Sequence, residues 1–71
     1  MNINTRVIVE AMEDIKLQSI TMDSAIRNLL DAMDIQNAEE VYAASKQLDM
    51  CISCIRYDYR LAMYNIQNGY Y

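Results

Sequence analysis

Across 71 residues there is no proline, and the single glycine is Gly69. These two residues are the strongest local interruptions of regular backbone, and without them there is little to turn one strand back onto another. The chain is therefore expected to be all-α. Its helix boundaries must be set by capping side chains and by the period of the apolar residues.

Three helical segments follow. The first is expected over residues 6–18, with Asn4 or Thr5 as N-cap. Ile8, Ala11, Met12 and Ile15 recur at helical spacing, with Glu10, Glu13 and Asp14 off that stripe. The β-branched run Val7-Ile8-Val9 weakens its first turn. The second segment starts at Thr21 or Asp23, either of which can accept a free backbone N–H. It continues through Met22, Ala25, Ile26, Leu29, Leu30 and Met33 and ends near residues 34–36. The link at Ser19-Ile20 is short, so these two segments form either a tight hairpin or one helix with a break.

Asn37 followed by Ala38-Glu39-Glu40 opens the third segment. The Asn37 side chain can cap, Glu40 can reach back to the cap N–H, and both acids suit the positive end of a helix. The next stop is Asn68-Gly69. The span is about thirty residues, or roughly 44 Å. The expected architecture is a small helical bundle in one domain over residues 1–71, with two short helices packed on one long C-terminal helix.

That long helix carries two apolar stripes. One is Val41, Leu48, Ile52, Ile55, Tyr59, Ala62 and Ile66, at heptad-like spacing. The other is Met50, Cys54, Tyr57, Leu61 and Tyr64. At about 100° per residue the two lie on opposite faces, and a helix apolar on both sides is normally covered on both. A chain this short buries only about 60% of its unfolded surface, so two short helices are expected to cover one stripe and leave the other for a contact. Five of the six tyrosines (Tyr57, Tyr59, Tyr64, Tyr70 and Tyr71) fall in the last fifteen residues, with Arg56 and Arg60 beside them. Tyrosine and arginine are typical anchors of protein interfaces. The expected protein-binding residues are Met50, Cys54, Arg56, Tyr57, Arg60, Leu61, Tyr64, Tyr70 and Tyr71. Their partner is another protein, a second copy of the chain, or both.

Composition narrows the alternatives. At 54% hydrophobic residues the chain is too apolar for disorder, and no apolar run approaches the 18 or so residues of a membrane span. The N-terminus lacks the layout of a secretory signal, which gives the expectation of a cytoplasmic protein with reduced thiols. With a net charge of −4 and no basic stripe, direct nucleic-acid binding is not expected.

Chemistry finds few footholds. Cys51-Ile-Ser-Cys54 matches the C-x-x-C spacing, yet both thiols lie mid-helix, far from the positive helix end that activates such pairs. With no histidine, two cysteines cannot complete a zinc site. They read as small packing residues. Asp49 and Asp58, with Arg56 and Arg60, read as a solvated helical face. No nucleophile stands beside a base. No catalytic, metal or cofactor-binding residue, no cofactor and no small-molecule substrate is expected, and the chain is not expected to be an enzyme.

One short motif resembles a known family. Ser45-Lys46-Gln47-Leu48-Asp49, on the helix opened by Asn37-Ala38-Glu39-Glu40-Val41, is similar to the S-Q-x-L-D signature of the small sporulation-type aspartyl-phosphate phosphatases. Ser45, Leu48 and Asp49 match. Lys46 replaces the family glutamine, Gln47 sits one place late, and the inter-helix turn lacks the usual glycine. The resemblance covers about 25 residues and implies a helical hairpin that dephosphorylates a response regulator.

The principal expectation is a non-enzymatic helical interaction module. It would be a regulator or inhibitor, in the style of phage or mobile-element proteins, that docks on a larger host protein. The alternatives are the phosphatase and a helical chaperone or assembly subunit of an obligate complex.

Overall fold

In the computed structural model, which describes residues 4–69, the backbone runs straight through Ser19-Ile20. Ser19 Oγ donates to the Ile15 carbonyl at 2.7 Å, and Thr21 Oγ1 to the Leu17 carbonyl at 3.4 Å. Both hydroxyls are satisfied one turn back, inside a helix that continues. Asp23 does not cap either; it pairs with Arg27 at 3.1 Å, one turn on. The two short helices expected from these residues are therefore one helix, α1 (Thr5–Asp34), whose N-cap Asn4 accepts from the Val7 N–H at 3.4 Å. Capping residue types mark a helix start only where the preceding backbone leaves the helix, and nothing here makes it leave.

The long C-terminal helix is present as α2 (Ala38–Gly69). Instead of two short helices on one long one, the fold is a hairpin of two helices of 30 and 32 residues. They pack side by side in a rod whose Cα trace measures 54 × 14 × 11 Å.

The turn takes three residues. Gln36 adopts φ 57°, the left-handed region. Its N–H donates to the Met33 carbonyl at 3.1 Å, and the Asn37 N–H donates to the Ala32 carbonyl at 3.0 Å. This pair of bonds closes the C-terminus of α1. Asn37 then opens α2, its Oδ1 accepting from the Glu40 N–H at 3.2 Å. The Asn37 cap is as expected. The reach-back by Glu40 is not made, because the Asn37 N–H already serves the end of α1.

The helices meet through small residues. Buried on α1 are Ala11, Ala25 and Ala32; on α2 they are Ala44, Cys51, Asp58 and Ala62. Positions 11, 25 and 32, and likewise 44, 51 and 58, are separated by multiples of seven, the repeat of a two-helix coiled coil. One turn away on each helix runs a column of larger side chains: Ile8, Ile15, Met22 and Leu29, and Val41, Leu48 and Ile55. All of these are only half-buried. Among the described residues no large side chain is fully buried. The hairpin has a contact line more than a core.

Candidate interaction surface

The columns of exposed and half-buried side chains beside that contact line differ between the two flanks of the rod. On one flank, α1 presents Met12, Ser19, Ile26 and Met33, and α2 presents Ser45, Ile52, Tyr59 and Ile66. Together with the column beside it, which is half-buried except for the buried Ala62, each set makes an unbroken 4-3 repeat: residues 8, 12, 15, 19, 22, 26, 29 and 33 on α1, and 41, 45, 48, 52, 55, 59, 62 and 66 on α2. None of these sixteen positions carries a charge. At the turn end a groove of about 490 Å³ lined by Met33, Gln36, Ala38, Val41, Tyr42 and Ser45 brings members of the two sets to one side of the hairpin.

The opposite flank is polar near the turn and carries tyrosines and methionine farther along. Near the turn, Asn28 and Asp31 face Glu40, Ala43 and Gln47 across a groove of about 420 Å³. Farther along, Asp14 shares a smaller groove of about 270 Å³ with Ser53, Cys54, Tyr57 and Asp58.

The expected protein-binding residues lie mainly toward this second flank. Met50, Tyr57 and Tyr64 stand seven residues apart and are 68%, 68% and 65% exposed. Cys54 is exposed beside them, and Leu61 is half-buried. Arg60 is exposed and borders the stripe, about 60° from Tyr57 and about 40° from Tyr64 on the helix. Arg56 is exposed but lies about 100° from Tyr57, toward the apolar flank, so it does not join the stripe. Tyr70 and Tyr71 fall outside the described residues.

Two expectations are corrected. Asp58 is not on a solvated face: it is 8% exposed, and its Oδ2 has no hydrogen-bond partner. Its place in the heptad column of Ala44 and Cys51 puts it between the helices. A hydrogen bond with Asp14, burial and the Asp14 charge together raise its pKa from 3.8 to about 6. The cysteines, read together as packing residues, separate: Cys51 is buried in the contact line and Cys54 is exposed, both as free thiols. They stand three residues apart, about 60° round the helix, which is enough to put one in the contact and the other beside it.

The outer stripe was legible from spacing. The apolar flank was not, because half of it belongs to the stripe assigned to the core. Ile52 and Tyr59 were expected under the short helices and are instead exposed. The missed signal is the pair of small-residue columns, which identify the true contact line.

Among the described residues no three His, Cys, Asp or Glu side chains gather as a metal site. No described helix is long and apolar enough to cross a membrane. No family model, curated protein or solved structure matches the chain, so the resemblance around Ser45–Asp49 rests on those residues alone.

Proposed function

We propose that the chain is a non-enzymatic helical interaction module, a small regulator or inhibitor that binds a larger host protein. One observation carries this: Met50, Tyr57 and Tyr64 form a straight, solvent-facing line on α2 that is left exposed among the described residues. Tyrosine and methionine side chains supply large contact areas, and an arginine at the edge adds a directional hydrogen-bond donor. Asp14 borders the line on the α1 side. The complementary surface is therefore apolar, with acceptor groups at its margin to meet Arg60.

The test is a photo-crosslinking residue placed at Tyr57, and separately at Glu13 on exposed α1, in the cells that make the protein. A discrete adduct from position 57 and none from position 13 is expected. Adducts equally from both positions, or from neither, would defeat the proposal.

A second reading is favoured by a specific observation. The chain is a two-helix hairpin, as the phosphatase resemblance implies, with Ser45, Leu48 and Asp49 near the start of the second helix and Asp49 exposed. In this reading the partner is a phosphorylated receiver domain. Incubating such a domain with the chain and following loss of the phosphoryl group tests it. Activity that survives Asp49→Ala undiminished would end this reading.

A further inference from the structure

The apolar flank is a second surface, separate from the tyrosine line, and the geometry points to what covers it: we infer that two copies of this chain pack flank to flank as a four-helix bundle. Four observations lead there.

The first is area. The chain exposes 5620 Å², whereas a compact monomer of 8.3 kDa exposes about 4,600 Å². The excess of about 1,000 Å² is close to the roughly 800 Å² that each partner contributes to a standard stable interface.

The second is the interior. With no large side chain fully buried among the described residues and both thiols free, the hairpin lacks the core or the staple that a domain of this size relies on. A bundle of two hairpins supplies a core from residues already aligned for it. Met12, Ile26 and Met33 of α1 and Ile52, Tyr59 and Ile66 of α2 all point into the seam between them.

The third is self-complementarity. The seam begins at Ile8 and ends at Met33 on α1, and begins at Val41 and ends at Ile66 on α2. Each run therefore rises through about 38 Å of helix. A two-fold rotation lays runs of equal length on one another, with the 4-3 spacing that interlocks helices in bundles.

The fourth is chemistry. The seam carries no charge to desolvate. Of its three hydroxyls, that of Ser19 is already turned onto the Ile15 carbonyl, and those of Ser45 and Tyr59 sit at exposed positions where the seam can leave them at its edge. A heterologous protein could be apolar too, but within the sixteen seam positions there is no charge to give it direction, and Arg56 lies only at the border. In the resulting dimer the Met50–Tyr57–Tyr64 lines stay outside, one on each copy, so the assembly does not compete with the proposed partner surface.

The wild-type chain tests this by two readings. Light scattering across a concentration series is expected to give twice the 8.3 kDa chain mass, with a melting midpoint that climbs with concentration. Methionine oxidation by dilute peroxide, read by mass spectrometry, then locates the interface. Met33 and Met50 are both exposed on the lone hairpin. In the dimer Met33 is expected to oxidise several-fold more slowly than Met50, with the protection fading on dilution. As a third arm, Ile52→Asp is expected to lower the assembled mass or the midpoint, and Met50→Asp to change neither. A chain that stays at 8.3 kDa at all concentrations would overturn the inference. So would a dimer in which Met50 is the protected methionine, or one in which Met33 reacts as fast as Met50.

Discussion

Asp58 of α2 shares a small groove with Asp14 of α1, close enough for a proton on Asp58 to be shared between the two carboxyls. Two ionised carboxyls can only accept, so the pair is favourable only while one of them is protonated, and the raised pKa places that proton on Asp58. The position falls in the heptad column that is otherwise filled by Ala44 and Cys51. The hairpin therefore places a titrating pair inside its own contact line.

The sign of the pH effect follows. The Asp58 carboxyl is raised from 3.8 to about 6 in the folded chain, so between those values the folded state holds a proton that the unfolded chain has lost. Stability is then full below about pH 4 and falls as pH rises toward 6, with a total loss on the order of 2–3 kcal/mol. Urea unfolding at a series of pH values is expected to give a higher midpoint at pH 5 than at pH 7. A midpoint that rises from 5 to 7 would contradict the pairing.

Asp58→Asn removes the charge and keeps a donor for Asp14. It is expected to raise stability at pH 7 by about 1–2 kcal/mol and to flatten the dependence between pH 5 and 7. Asp49→Asn, on an exposed position of the same helix, is expected to change stability by no more than about 0.5 kcal/mol. Parallel denaturation of the two variants separates the buried carboxyl from a general effect of charge.

The turn offers a third check. Gln36 holds φ 57° without being glycine, a conformation that costs an ordinary L-residue roughly 1–2 kcal/mol. Gln36→Gly relieves that cost while adding freedom to the unfolded chain, and a net gain of up to about 1 kcal/mol is expected. Asn37→Ala works in the other direction. It deletes the acceptor for the Glu40 N–H and is expected to cost about 1 kcal/mol. A destabilised Gln36→Gly variant would show that the turn is not as described.

How much of this was open to a reader of the residues alone depends on which signal each feature uses. The helical class, the Asn37 cap and the length of α2 follow from the absence of breakers and from one side-chain acceptor. The continuity of α1 did not, because Ser19, Thr21 and Asp23 are the residue types that start helices. Only their bonds to Ile15, Leu17 and Arg27 show them working inside one. The turn was hidden for the opposite reason: its left-handed residue is Gln36, where glycine would have announced it. The contact line was hidden by hydrophobic ranking. Large apolar residues were assigned to the interior, whereas two helices of a lone hairpin approach most closely where the side chains are smallest.

Ala25 is fully buried where α1 meets α2, so Ala25→Leu inserts a branched side chain into a contact that has no space for it. A cost of about 1–3 kcal/mol is expected. Ala43→Leu, on an exposed position, is expected to stay within about 0.5 kcal/mol of wild type. If both substitutions prove equally harmless in thermal melts, the alanine columns are not the contact line.

The two cysteines give the most direct reading of the same geometry. Cys54 is exposed and Cys51 is 3% exposed in the column between the helices. A thiol buried in apolar surroundings is protected both by restricted access and by the cost of forming its thiolate there. Under native conditions a thiol reagent is expected to modify one cysteine quickly, and peptide mapping should identify it as Cys54. Cys51 should follow at the slower rate at which the hairpin opens, and urea that unfolds the chain should bring the two rates together. Cys54→Ser should therefore remove the fast phase and leave the slow one. Rapid modification of Cys51 in the folded chain would mean that α1 and α2 do not close over it.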